Sequence, residues 1–111
     1  MRPIPEKLKE EIANDPFMQV CCITRSLGVS WEHCWIYAGK QINERWAIVP
    51  LRGDLNTSHP PGDVKERCQL ISLNRAKELG EWENLKKKYP RHNWEQIYKY
   101  LSRKYDTDNR V

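Results

Sequence analysis

Glu32 and His33 stand side by side in the stretch WEHCWIYAGKQINERWAIVPL, Trp31 to Leu51, ahead of a compact apolar run. A carboxylate beside an imidazole can hold a divalent cation and take a proton from water. Oxygen ligands suit hard cations, and an imidazole titrates near neutral pH. The same pair is equally a surface Glu next to a surface His. The elements that carry the two residues decide between these readings.

Val29 to His33, VSWEH, alternates apolar and polar residues, which predicts a half-buried strand. WAIVPL, Trp46 to Leu51, is the most continuous strand pattern in the chain, with Pro50 placing it at an edge or near its end. Residues 37–45 between them read as a loop or short ribbon pivoting on Gly39. FMQVCCIT, Phe17 to Thr24, reads as a further strand-like run, closed by a turn at RSLG. A short helix is predicted over 5–14, with Leu8 and Ile12 on one face and Asp15-Pro16 as its stop.

After a loop over 52–62, a helix should run from Asp63 to about Leu79, where Gly80 ends it. Val64, Cys68, Ile71 and Arg75 lie along one line of that helix. EWENLKKKY predicts another helical piece. The last helix starts at Asn93, which forms a capping-box pattern with Gln96, and carries an apolar stripe of Trp94, Ile97, Tyr98, Leu101 and Tyr105. Two strands alone do not stand in water, so a helix must cover one face of the hairpin. The expected class is α+β.

With 111 residues the chain is expected to form one domain, a core over 17–80 with a C-terminal helical extension over 81–111. Five Trp and five Tyr against one Phe must supply much of the core or a contact surface. No apolar run approaches the ~20 residues of a membrane span, and the N-terminus lacks a hydrophobic signal core. A cytoplasmic chain with no membrane partner is expected. Four Cys, two of them adjacent, do not suggest a secreted disulfide framework. The net charge of +4 arises entirely from residues 75–111, which hold ten Lys/Arg against six Asp/Glu. Lys86, Lys87, Lys88 and Arg91 form the densest cluster, suited to a polyanion backbone or simply to a solvated face.

The block WEHCWIYAGKQINERWAIVPL, followed by ISLNRA and preceded by RPIPEKLKEEIANDPFMQVCC, resembles small phage-encoded HNH endonuclease-like proteins over roughly residues 1–80. Their ββα-metal motif is a hairpin, a loop and a helix around one divalent cation. The resemblance implies a metal-dependent DNA endonuclease or nickase, working with Mg²⁺ or Mn²⁺ on phosphodiester bonds. His33 would be the general base and Glu32 a metal ligand. The family's third position falls on Asn56, with His59 three residues on as a substitute. Lys40 fills the basic place of the family's AG(K/R)Q loop and would hold a phosphate.

The sequence also departs from that pattern. Adjacent side chains of a regular strand face opposite ways, so Glu32 and His33 serve one site only if the strand is distorted or ends there. The family's middle Asn falls at Ala47. Asn43, four residues earlier, is a supporting candidate that pins the loop or caps a turn. Arg52 stands where the family has a Cys, and the two C-x-x-C pairs of many HNH proteins are missing. A set drawn from Cys21 or Cys22, Cys34, His59 and Cys68 is open by count. Buried thiols acting as small apolar groups are the expectation, so a structural Zn²⁺ is not expected. Two rival readings stand beside the hydrolase, and the departures favour the first. One is a catalytically inactive HNH-like phage protein that binds DNA or inhibits a host nuclease or defence protein. The other is a metal-stabilised structural module.

Overall fold

A computed structural model describes residues 4–52 and 62–106. Helix α1 (Glu6–Ala13) follows Pro5 and buries Leu8 and Ile12, the two residues its periodicity placed on one face. Asp15 then caps a 3₁₀ turn, Pro16–Gln19, its side chain accepting from the Phe17 backbone N–H at 3.0 Å. The predicted strand over 17–24 does not form. Pro16 at the first position and the Asp15 cap commit the backbone to a turn, and Cys21 closes on itself through Arg25 N–H to Cys21 C=O at 2.9 Å.

Strand β1 (Val29–His33) pairs antiparallel with β4 (Ile48–Arg52), from Val29 opposite Arg52 to His33 opposite Ile48. Between them lies a small ribbon, β2 (Ile36–Tyr37) with β3 (Lys40–Gln41). Ala38 and Gly39 both have positive φ, 52° and 79°, the backbone of a two-residue hairpin turn. Trp46 was expected to open the last strand, but Arg45–Ala47 is a 3₁₀ turn and the strand starts at Ile48. Pro50 sits as predicted on the free edge. Its carbonyl accepts from Cys22 N–H at 2.9 Å on the side away from β1, where its missing N–H breaks no ladder bond.

Helix α2 (Gly62–Glu78) covers this pair. It ends in a Schellman turn at Gly80 (φ 72°), with Gly80 N–H to Lys77 C=O at 3.2 Å and Glu81 N–H to Ala76 C=O at 2.8 Å. Helices α3 (Trp82–Lys88) and α4 (Trp94–Leu101) follow, and the Asn93 side chain caps α4 through Gln96 N–H at 3.2 Å. The described residues thus form a mixed α+β structure of four α-helices and two small antiparallel sheets. None of its helices is long and apolar enough to cross a membrane.

Two apolar clusters sandwich β4. Ile48 packs with Leu8, Ile12 and Met18 on the α1 side, while Val49 and Leu51 join Val64, Cys68 and Leu73 of α2. The residues after 80 complete the larger cluster. Trp94 meets Trp35 edge-on at 5.0 Å and Trp46 at 6.0 Å, and Leu85, Leu101 and Tyr105 are buried with them. The C-terminal segment therefore belongs to the core of the fold.

Asp15 is 3% exposed and accepts from Arg45 Nε at 3.1 Å and from Arg75 Nη2. It joins the turn after α1 to the turn before β4 and to α2. Removing one partner of a buried charge network leaves the rest uncompensated. Asp15→Ala is expected to lose about 3–5 kcal/mol of unfolding free energy, measured by urea denaturation. A loss under about 1 kcal/mol, the range of an exposed pair, would show that the network does not organise the fold.

Candidate functional site

His33 closes β1, and its ring is half-buried. Its Nε2 lies 2.7 Å from Asn43 Oδ1. With the amide oxygen as acceptor, Nε2 carries the proton, and the lone pair of the neutral ring sits on Nδ1. Asn43 is itself held by its neighbours. Ile42 is buried, and its N–H donates to Trp35 C=O at 3.0 Å. Glu44 accepts a short hydrogen bond from the Tyr89 hydroxyl and an ion pair from Lys88 at 3.4 Å. Arg45 reaches the buried Asp15. A residue flanked by such anchors is placed to fix the orientation of the ring it bonds.

Glu32 lies opposite Val49, whose side chain faces α2, whereas His33 lies opposite Ile48, which faces α1. The regular register therefore sets the two side chains on opposite faces of the pair. They share only the end of the strand, where β1 stops. Burial pushes the Glu32 carboxyl above its ordinary value, against the opposing pull of His33, of Lys65 in the first turn of α2, and of the His33 backbone N–H. Lys65 was missed in the sequence. The hint available was its place just after the loop, on the helix turn that must land beside the strand end.

Asn56 and His59 lie outside the described residues. Among the described residues no three His, Cys, Asp or Glu side chains are grouped to hold a metal. Glu32 supplies one carboxylate at the strand end. That suffices as this strand's share for Mg²⁺, which keeps several waters and needs only one or two protein oxygens.

The basic candidates divide. Lys86 is paired with Glu95 at 2.9 Å and Glu83 at 3.0 Å, and Lys88 with Glu44. Lys40, Lys87 and Arg91 are exposed and form no ion pair among the described residues. Tyr37 links two of them: it lies opposite Lys40 in the ribbon, and its hydroxyl accepts from Arg91 N–H at 3.0 Å. His92 stacks edge-on against Tyr37 and Trp94 rather than reaching the strand end. Asn43 lines a cleft of about 380 Å³ beside α1. A larger hollow of about 710 Å³ lies against the 3₁₀ turn and α2 and includes neither Glu32 nor His33.

Comparison with protein-family models, with curated proteins and with solved structures found no match for this chain.

The shifted Glu32 carboxyl has a measurable consequence. Its folded-state pKa is raised, so its contribution to stability is full below the ordinary carboxylate range and falls as pH rises through the folded value. Glu32→Gln should therefore melt about 1–3 °C higher than the natural chain near neutral pH. That gain should vanish at about pH 4 and below. A Gln variant that melts lower near neutral pH would mean that the fold needs the charge.

Proposed function

We propose that this chain is a metal-dependent phosphodiester hydrolase of HNH type acting on DNA, with His33 as its general base. The observation that carries the reading is the 2.7 Å bond from His33 to Asn43 at the end of the first strand of an antiparallel pair that is followed by a helix. That bond leaves Nδ1 free to take a proton from water as the water attacks phosphorus. Asn43 stabilises the ring as it becomes charged, because its carbonyl accepts from the protonated Nε2. Glu32, with Asn56 or His59, would hold Mg²⁺ or Mn²⁺, which supplies charge neutralisation at the scissile phosphate. Lys65 sits near Glu32 as a further positive charge. Lys40, Lys87 and Arg91 are the cations available to a phosphate backbone.

A second reading keeps the scaffold without the hydrolysis: a DNA- or protein-binding relative, such as an inhibitor of a host nuclease. The opposite-face placement of Glu32 and His33 favours it, as does the internal pairing of Lys86 and Lys88.

Supercoiled plasmid incubated with Mg²⁺ or Mn²⁺ separates the two. Cleavage or nicking is expected, with loss of at least about 100-fold in His33→Ala, as for a general base. Asn43→Ala should lose about 10–100-fold, as for a group orienting an active residue, with its circular dichroism unchanged. A natural chain that retains DNA on a gel but cleaves nothing with either ion overturns the hydrolase and supports the binder. Cleavage unchanged in His33→Ala also removes the assignment.

A further inference from the structure

Three cysteines distant in sequence meet behind β1. Cys22 Sγ lies 3.9 Å from Cys68 Sγ, although 46 residues separate them. Cys34 follows the strand end, and its thiol points to Cys68 C=O at 3.5 Å. All four thiols are free. Their surroundings differ in a way that sorts them. Cys34 and Cys68 are buried, while Cys22 is half-exposed and lines the 710 Å³ hollow. Cys21 lines the same hollow but is fully buried, so Cys22 offers the accessible thiol there, and its sulfur lies against that of Cys68. Cys21, the sequence neighbour, is turned aside: its sulfur accepts from Ile23 N–H and Thr24 N–H, each at 3.4 Å. The Cys22 backbone is meanwhile fixed to the β4 edge by its N–H bond to Pro50 C=O.

We propose that Cys22 and Cys68 are a redox-closing dithiol, with Cys22 as the attacking thiol and Cys68 as the resolving one. The co-reactant is a low-molecular-weight disulfide of the glutathione class. The Cys22 thiolate attacks one sulfur of that disulfide, forming a mixed disulfide and releasing one thiol. Cys68 Sγ, giving up its proton as it attacks, then bonds to Cys22 Sγ; the Cys22–glutathione bond breaks, and glutathione leaves as a thiol that takes up that proton. The protein loses two electrons and two protons, and the reagent gains both. Closure needs the sulfurs to approach from 3.9 Å to about 2.0 Å, by rotation of the Cys22 side chain in its partly exposed turn. The bond would fasten the turn after α1 to the middle of α2. This inference is independent of whether His33 hydrolyses anything.

The test treats the reduced, folded chain with oxidised glutathione and maps the product by non-reducing peptide mass spectrometry. An intramolecular Cys22–Cys68 bridge is expected, reversed by reduced glutathione, absent in Cys22→Ser and Cys68→Ser, and retained in Cys34→Ser. Because Cys68→Ser alters the core, the bridge mapped in the natural chain carries the result on its own. Glutathione remaining on Cys22, a bridge through Cys21 or Cys34, or reaction only in urea would each overturn the proposal.

Discussion

The buried Asp15 carboxylate is the constraint on which the rest of the structure depends. It caps the turn that follows the first helix and pairs with two guanidinium groups, that of Arg75 largely buried and that of Arg45 partly exposed. A carboxylate out of water is tolerated only with such partners. The consequence reaches the site. Arg45 is two residues from Asn43, so the same ion pair that closes the fold locates the residue that holds His33. The loop is anchored again by Trp35 through Ile42 and by Tyr89 and Lys88 through Glu44. Residues from four parts of the chain thus converge on one side-chain orientation.

The strand end that carries Glu32 and His33 is electrostatically divided. On the α2 side a carboxylate is kept partly out of water, close to the buried thiols of Cys34 and Cys68 and to Lys65. On the α1 side an imidazole is fixed by a neutral amide. Leaving a carboxylate there costs stability that a neutral amide would not.

The basic C-terminal third does two jobs with one composition. Trp94, Leu85 and Leu101 fill the core beside Trp35 and Trp46, and Lys88 and Tyr89 clamp the Asn43 loop. Lys86 and Lys88 are absorbed into ion pairs, so the cationic surface is smaller than the lysine run suggests. Partly exposed pairs of this kind are modest in strength and screened by salt.

Local features were legible in the sequence because they rest on short-range physics. The apolar spacing of Leu8 and Ile12, the Gly80 stop, the Asn93 cap, the Gly39 turn and the edge position of Pro50 follow from backbone preferences within a few residues. Phe17 to Thr24 matches a strand in apolar content, yet it turns: Asp15 and Pro16 start the turn locally, and Arg45 and Arg75, far off in the chain, hold the Asp15 carboxylate there. The nearness of Glu32 to His33 was given by the sequence. Their separation onto two faces was decided by the pairing register, and the bond from His33 to Asn43 by a loop that distant side chains hold in place. Sequence determines which residues neighbour one another along the chain and what each can do chemically. Only the tertiary structure decided which of them meet, because burial, ion pairing and ring packing act between segments that the chain keeps far apart.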